Sequence, residues 1–474
     1  MKNSYIITLF LVCGLLTMAG CKKYLDVQPL TSYTESQVYG NEKAIDQALN
    51  GLYLNLAANQ LYGANLTTTT VELLAQRYKP RTQSNNPDLS VFNYYQYGSA
   101  AAQATFDTLW RQGYATILAA NVFLSKIDNA VGAKVITSAH ADELKGEAIA
   151  LRAMMHFDLL RLFGPVFSVD STSPAIPYYR KADGQSQPIL SGGTVLANVI
   201  ADLKQAQQLL QHDPVITSGI ILNTDFYTGS RNQRLNYYAV EGLLARAYLW
   251  EGDKQHAHEA ALTVLTQGEK WFPWTTYDVA NDPVNPDRIF SSEILFSVYN
   301  PALYTNFTTY FSSDLQDAYI LAPDPTRLAN VYESNEGDYR YSQDWIASGK
   351  SYRTFFKYQD LTQPALPWRF LQPVLRKSEM YFILAETDTD PGTALGYLNT
   401  ARRNRGLTAL TATASISEEL RKEYQKEFWG EGQLFFYYKR INATQVPDAA
   451  YPYDFITVDP AYVVPLPLSE TSTR

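Results

Sequence analysis

Across residues 143–163 the apolar positions Leu144, Ala148, Leu151, Met155, Leu159 and Leu162 recur at steps of three or four, which places them along one face of a helix. Gly164 and Pro165 then stop it. The same period predicts helices at 44–57, 108–128 and 195–210. Residues 234–266, RLNYYAVEGLLARAYLWEGDKQHAHEAALTVLT, hold two apolar stripes broken by Glu251-Gly252-Asp253. Glycine permits the sharp turn and Asp253 can cap the second helix, so this segment predicts a helical hairpin. A second hairpin is predicted from 376–386 and 393–405, joined by the breaker-rich 387–392.

The first hairpin resembles a tetratricopeptide repeat. Leu244, Ala245 and Tyr248 fall where that repeat has Leu, a small residue and Tyr, and Ala257 falls at the small position of its second helix. Glu241 replaces the usual Trp and Val264 the usual late Ala. One hairpin cannot bury its own apolar face, so several must stack, and the other predicted helices supply them. The expectation is a mostly α chain, a tetratricopeptide-like α-solenoid. Between the hairpins, 60–105 and 267–370 are rich in Tyr, Trp, Asn, Asp, Thr, Gly and Pro, with little periodicity apart from a strand-like SEILFSVY at 292–299. Loops of that length in a compact protein are usually functional. No linker separates them from the helical segments, so residues 21–474 read as one body. Its helical scaffold falls at about 40–57, 108–163, 195–266 and 376–440, and its loop-rich parts at about 60–105 and 267–370.

The N-terminus changes the picture of where this body sits. Lys2, an apolar run at 6–16 and the small residues Ala19 and Gly20 have the arrangement of a signal peptide over 1–20. The run is shorter than the roughly 20 apolar residues a bilayer core requires. Met18-Ala19-Gly20-Cys21 resembles the lipobox of bacterial lipoproteins, in which the cysteine carries the lipid; the alternative is an ordinary signal peptide with an incidental cysteine. Two or more acyl chains would hold the protein stably at a membrane. Cys13 and Cys21 are the only cysteines, so the chain after cleavage has no disulfide and no thiolate metal site. A net charge of -8 with no dense Lys/Arg block argues against nucleic acid as a partner. Tyrosine outnumbers phenylalanine 35 to 21, which suggests many rings with one edge at water or a polar ligand.

Four stretches together resemble the SusD/RagB family of surface lipoproteins, the nutrient-binding partners of SusC-like, TonB-dependent outer-membrane transporters in Bacteroidetes-type bacteria. They are CKKYLDVQPLTSYTE (21–35) after the lipobox, GEAIALRAMMHFDLLRLFGPV (146–166), RKSEMYFILAET with LNTARRNRGL (376–387 and 398–407), and KEFWGEGQLFFYYKR with VVPLPLSE (426–440 and 463–470). The resemblance implies about four helical hairpins carrying an irregular loop-rich subdomain, no cofactor, and a lipid at Cys21 that anchors the chain to the outer membrane, exposed at the cell surface. In GEGQLFFYYKR, Leu434 and Tyr437 stand where the family has charged residues, which puts a local buried ion pair in doubt.

Catalytic motifs are missing: there is no H-E-x-x-H, G-x-S-x-G or P-loop, and Gly430-Glu431-Gly432 follows a helix rather than a strand. His256 and His258 lie two apart on a helix and point to different faces, which argues against a shared metal. A carbohydrate site needs flat rings for the C–H faces of sugars and amides, carboxylates or guanidinium groups for hydroxyls. The irregular stretches offer both, and family ligand sites are assembled from two such regions. The candidates are Tyr78, Arg81, Asn85, Tyr94, Tyr95 and Tyr97 in the first, and Trp271, Trp274, Tyr277, Tyr304, Asn306 and Trp345 in the second, with Tyr299 and Asn300 among them. For any one ring, packing under a loop is the competing role; Trp110, Trp250 and Trp429 lie in helical stripes and are expected in the core. The expected function is non-catalytic oligosaccharide capture for a transporter. Peptide capture, glycan hydrolysis by a carboxylate pair and a pure protein scaffold are the alternatives.

Overall fold

The computed structural model describes residues 34–80, 89–223, 225–458 and 460–472. Its long helices are α1 (Glu42–Leu56), α2 (Ala100–Gly132), α3 (Ser138–Phe163), α4 (Gly192–Leu209), α5 (Tyr237–Glu251), α6 (Lys254–Gly268), α7 (Leu303–Tyr310), α8 (Lys377–Thr387), α9 (Pro391–Arg403), α10 (Ile416–Glu427) and α11 (Gln433–Arg440). Short polar residues start most of them. Ser99, Thr137, Ser191, Asn236, Asp253 and Asp390 each accept a hydrogen bond from a first-turn backbone N–H that has no partner within the helix. At the predicted hairpin turn Gly252 has φ +91°, a conformation with a steric cost for residues that carry a Cβ.

Helices α2/α3, α5/α6, α8/α9 and α10/α11 are consecutive pairs packed side by side, and α4 fills the space between α3 and α5. The stack continues from α6 to α8 and from α8 to α10, so the apolar face left by one pair is covered by the next. This is the tetratricopeptide-like solenoid the periodicity predicts. Trp110, Trp250 and Trp429 are in its core, as expected. Helix α3 is buried nearly all round because α2 and α4 flank it. Its C-terminal carbonyls are capped by the buried Lys439 Nζ, which donates to Leu162 O at 3.2 Å and Gly164 O at 2.7 Å.

The strand-like segment at 292–299 becomes β3 (Ile294–Tyr299), paired antiparallel with β6 (Leu371–Arg376). Every residue of the pair except Tyr299 is buried, because α5 lies against the sheet, with Gly242 beside Leu375 and Leu295. Three other two-stranded pairs complete the described strands: β1 (Pro174–Pro177) with β2 (Ile189–Ser191), β4 (Trp345–Ile346) with β5 (Thr354–Phe355), and β7 (Gln445–Pro447) with β8 (Phe455–Thr457).

Segments distant in sequence meet in a buried ion network. The Glu427 carboxylate accepts from Arg405 Nη2 at 2.7 Å, from Arg340 Nη1 at 2.9 Å and from Arg376. Glu431 pairs with Arg376 and, at 2.6 Å, with Lys357 Nζ, while Arg405 reaches Glu293 at 2.6 Å. Burial alone would raise the Glu427 carboxyl, yet Arg405, Arg376 and Arg340 hold it well below the usual carboxylate range. Gly432, at φ +72°, brings its backbone so close to Leu66 that no Cβ fits. At Tyr437 a ring stack stands in place of the charge: it lies on Tyr424 with centroids 4.0 Å apart, and Leu434 is buried beside it.

Candidate functional site

The end of β3 leaves the sheet as an aromatic surface. Tyr299 is 44% exposed, and the next residue, Asn300, is fully buried. The Asn300 amide donates to Gln372 Oε1 at 2.8 Å and to Gly63 O at 3.3 Å, and its Oδ1 accepts from Ala302 N at 3.0 Å, which fixes the entry to α7. Tyr304, in the first turn of α7, accepts a hydrogen bond from Phe370 N at 3.0 Å. Burial pushes its hydroxyl up, so it stays protonated at neutral pH.

Phe370 is the hinge of this surface. Its φ of +69° is a left-handed conformation disfavoured for a bulky residue, and such strain concentrates at functional sites. That backbone sets its ring 5.5 Å from Tyr299 and 4.8 Å from Tyr304, centroid to centroid. The Arg369 guanidinium lies over Tyr304 and Phe370, at 5.4 and 4.7 Å, and forks onto both oxygens of Asp360 at 2.9 Å. Three rings and an Arg–Asp pair thus share one open surface. The two irregular regions meet beneath it: Asn306 Nδ2 donates to Asn59 Oδ1 and Gly63 O, and Gln372 Nε2 to Thr67 Oγ1. Phe370, Arg369 and Asp360 were not expected from sequence. The signal that could have found Arg369 and Phe370 is TQPALPWRF, breakers and rings running into a buried strand.

The other candidates are scattered. Cys21, Arg81 and Asn85 lie outside the described residues. Three expectations are corrected. Tyr78 is fully buried between Phe311 and Trp429. Trp345 is fully buried against Trp429 and Phe355, with ring centroids 4.7 and 5.0 Å away. Asn306 is buried and engaged in joining the loops. None of the three presents its side chain to a ligand, because the loops around them pack onto the same apolar core that holds Trp429. Trp271 is half-buried, its ring over Gly219 and its indole N–H donating to Ile216 O at 3.2 Å. Trp274 packs on Tyr381 at 5.0 Å with Lys377 Nζ 4.2 Å above its ring, and the exposed Tyr277 meets Tyr339 edge-on. This group shares no partner with the Phe370 surface. Tyr95 and Tyr97 are half-buried with hydroxyls bound to Leu74 O and Ala461 O, and Tyr94 is exposed.

His256 and His258 turn to separate partners, Asp253 and Thr387. Among the described residues no cluster of three or more His, Cys, Asp or Glu is arranged to hold a metal ion. No described helix is long and apolar enough to cross a membrane.

Comparison with known proteins bears on this geometry. A family profile described as starch-binding and associating with the outer membrane matches residues 23–249. A SusD superfamily protein from Bacteroides thetaiotaomicron superposes with a TM-score of 0.73, covering 91% of this chain and 98% of that one at 20% identity. The chain is similar to SusD-like proteins in the profile-matched part and shares their fold. A curated SusD-like protein from Formosa agariphila is 21% identical over 285 residues, which are 59% of this chain and only 48% of that relative's length. A solved laminarin-binding SusD-like protein has the same fold, with a TM-score of 0.63, 17% identity, and coverage of 91% of this chain and 98% of that one. The family binds carbohydrate and associates with the outer membrane. SusD-like proteins are known as binding proteins rather than enzymes.

Proposed function

We propose that this SusD-like chain captures an oligosaccharide outside the outer membrane and delivers it to a SusC-like, TonB-dependent transporter, held there by a lipid on Cys21. The observation that carries this reading is the Tyr299–Tyr304–Phe370 surface. Its rings offer faces for sugar C–H groups, and Arg369 and Asp360 at its edge offer a donor and an acceptor for hydroxyls. The starch-binding description of the family and the laminarin-binding relative support a neutral glucan as the ligand class. Peptide capture would draw on backbone pairing rather than on ring faces.

The test is calorimetric titration of the lipid-free chain with soluble starch and with laminarin, together with an assay for new reducing ends. Binding without turnover, weakened about two- to tenfold by Tyr299→Ala, is the expected result. Failure to bind any neutral glycan, or measurable turnover, refutes the reading. Cys21→Ala should move the expressed protein from the membrane to the soluble fraction.

A further inference from the structure

The hairpin β7–β8 ends in Asp448-Ala-Ala-Tyr-Pro-Tyr-Asp-Phe455, and its rings are among the most exposed in the molecule: Tyr453 is 76% exposed, Tyr451 63% and Phe455 59%. Three large rings within five residues left open to water are unusual, since exposed apolar clusters mark interaction sites. Neither Tyr451 nor Tyr453 spends its hydroxyl on a described residue. The tip is nevertheless ordered from within. Asp448 N donates to Asp454 O at 2.9 Å, and Asp448 Oδ1 accepts from Ala450 N at 2.6 Å and Tyr451 N at 3.3 Å. Val446 and Ala449 are buried and root the hairpin in the body.

A second exposed ring is fixed to the same place. Gln76, itself buried, donates through Nε2 to Asn93 O at 2.7 Å and accepts through Oε1 from Ala449 N at 3.4 Å. One side chain therefore clamps the Tyr94 loop to the hairpin. Gln76 and Tyr95 have φ of +59° and +52°, strain maintained where the two segments are joined, and the turn leaves Tyr94 exposed. The chemistry selects the occupant. Residues 445–457 contain no Lys or Arg, Arg327 and Arg421 reach the hairpin but donate to Asp448 O and Gln445 O at 2.8 and 2.9 Å, and Asp448 is engaged in the turn, so neither an anionic surface nor a phosphate is favoured here. Ring faces with free hydroxyls suit an uncharged, hydroxyl-rich chain.

We infer that Tyr94, Tyr451, Tyr453 and Phe455 form a second glycan-contacting platform, which engages a long neutral polysaccharide simultaneously with the Phe370 surface. The inference rests on the carbohydrate reading above, and the two platforms share no residue. Two linked contacts on one chain raise apparent affinity with no change at either, and only for ligands long enough to span them.

The experiment compares the lipid-free wild type, a Tyr451→Ala/Tyr453→Ala/Phe455→Ala variant and a Phe370→Ala variant. Each is titrated with laminarin and with a laminarin-derived tetrasaccharide, with thermal unfolding as the control for folding. The tip variant is expected to unfold like wild type, to lose about tenfold in affinity for laminarin, and to keep wild-type affinity for the tetrasaccharide. Phe370→Ala is expected to weaken both. Unchanged laminarin affinity in the tip variant overturns the second platform and leaves the proposed function standing. In a parallel titration with phosphatidylcholine vesicles, wild-type binding that the tip variant loses while its laminarin affinity is unchanged also overturns it. A wild type that binds neither sugar overturns both proposals at once. Tyr94→Ala gives the same reading from the other segment, with the same expected loss for laminarin alone.

Discussion

Phe370 is where conformational strain and ring chemistry can be separated by two substitutions. Phe370→Ala keeps a Cβ at φ +69° and removes the contacts with Tyr299 and Tyr304. Each aromatic pair contributes about 0.5–1.5 kcal/mol, and a half-buried ring roughly 1 kcal/mol more, so the loss should be about 2–4 kcal/mol. Phe370→Gly makes the same losses. It also relieves about 1–2 kcal/mol of left-handed strain and gives back roughly 0.5–1 kcal/mol to the freer unfolded chain. Glycine should therefore be less damaging than alanine by about 0.5–1 kcal/mol in urea unfolding. Both variants, titrated with laminarin under conditions where they are folded, should lose the same affinity, since the ring is gone in each. A glycine variant less stable than the alanine variant would refute the strain argument. Wild-type affinity in both would show that the ring serves packing alone.

Two further outcomes follow from the buried charges. Glu427→Leu leaves Arg340, Arg376 and Arg405 facing an apolar side chain, and breaking a buried pair this way costs about 3–5 kcal/mol, measurable as a lower urea midpoint. Burial pushes the Asp344 carboxyl up to about 7, while in the unfolded chain it titrates near its ordinary value of about 4. Between those values the folded chain retains a proton that unfolding releases, so this group's contribution is complete below about pH 4 and lost as pH rises through about 7. Asp344→Asn carries no such proton, and its stability relative to wild type should rise from pH 4 to pH 8; a flat difference would refute the assignment.

The helices were legible because their determinants are local. A 3.6-residue period, a capping Ser, Thr, Asn or Asp, and a glycine at the turn act within one or two turns of chain, and the hairpin at α5/α6 follows from them directly. The family motifs were legible too, but not their purpose. Arg376 and Arg405 lie in one family stretch and Glu427 and Glu431 in another, and only folding brings them into one ion network. Exposure of the loop rings was not legible, unlike burial of the helical Trp110, Trp250 and Trp429. Tyr78, Trp345 and Tyr299 stand in similar polar, aromatic loops, yet the first two are buried and the third is open. Whether a loop ring faces water depends on which distant segment folds over it. Gly63 and Gln372 set the depth of the Asn300 turn, and Phe370, which no periodicity marks, takes a left-handed backbone that completes the surface. The sequence by itself therefore determined a stack of helix pairs with aromatic loops. Tertiary structure alone decided which aromatics became a surface, because burial is settled by contacts between residues far apart in the chain.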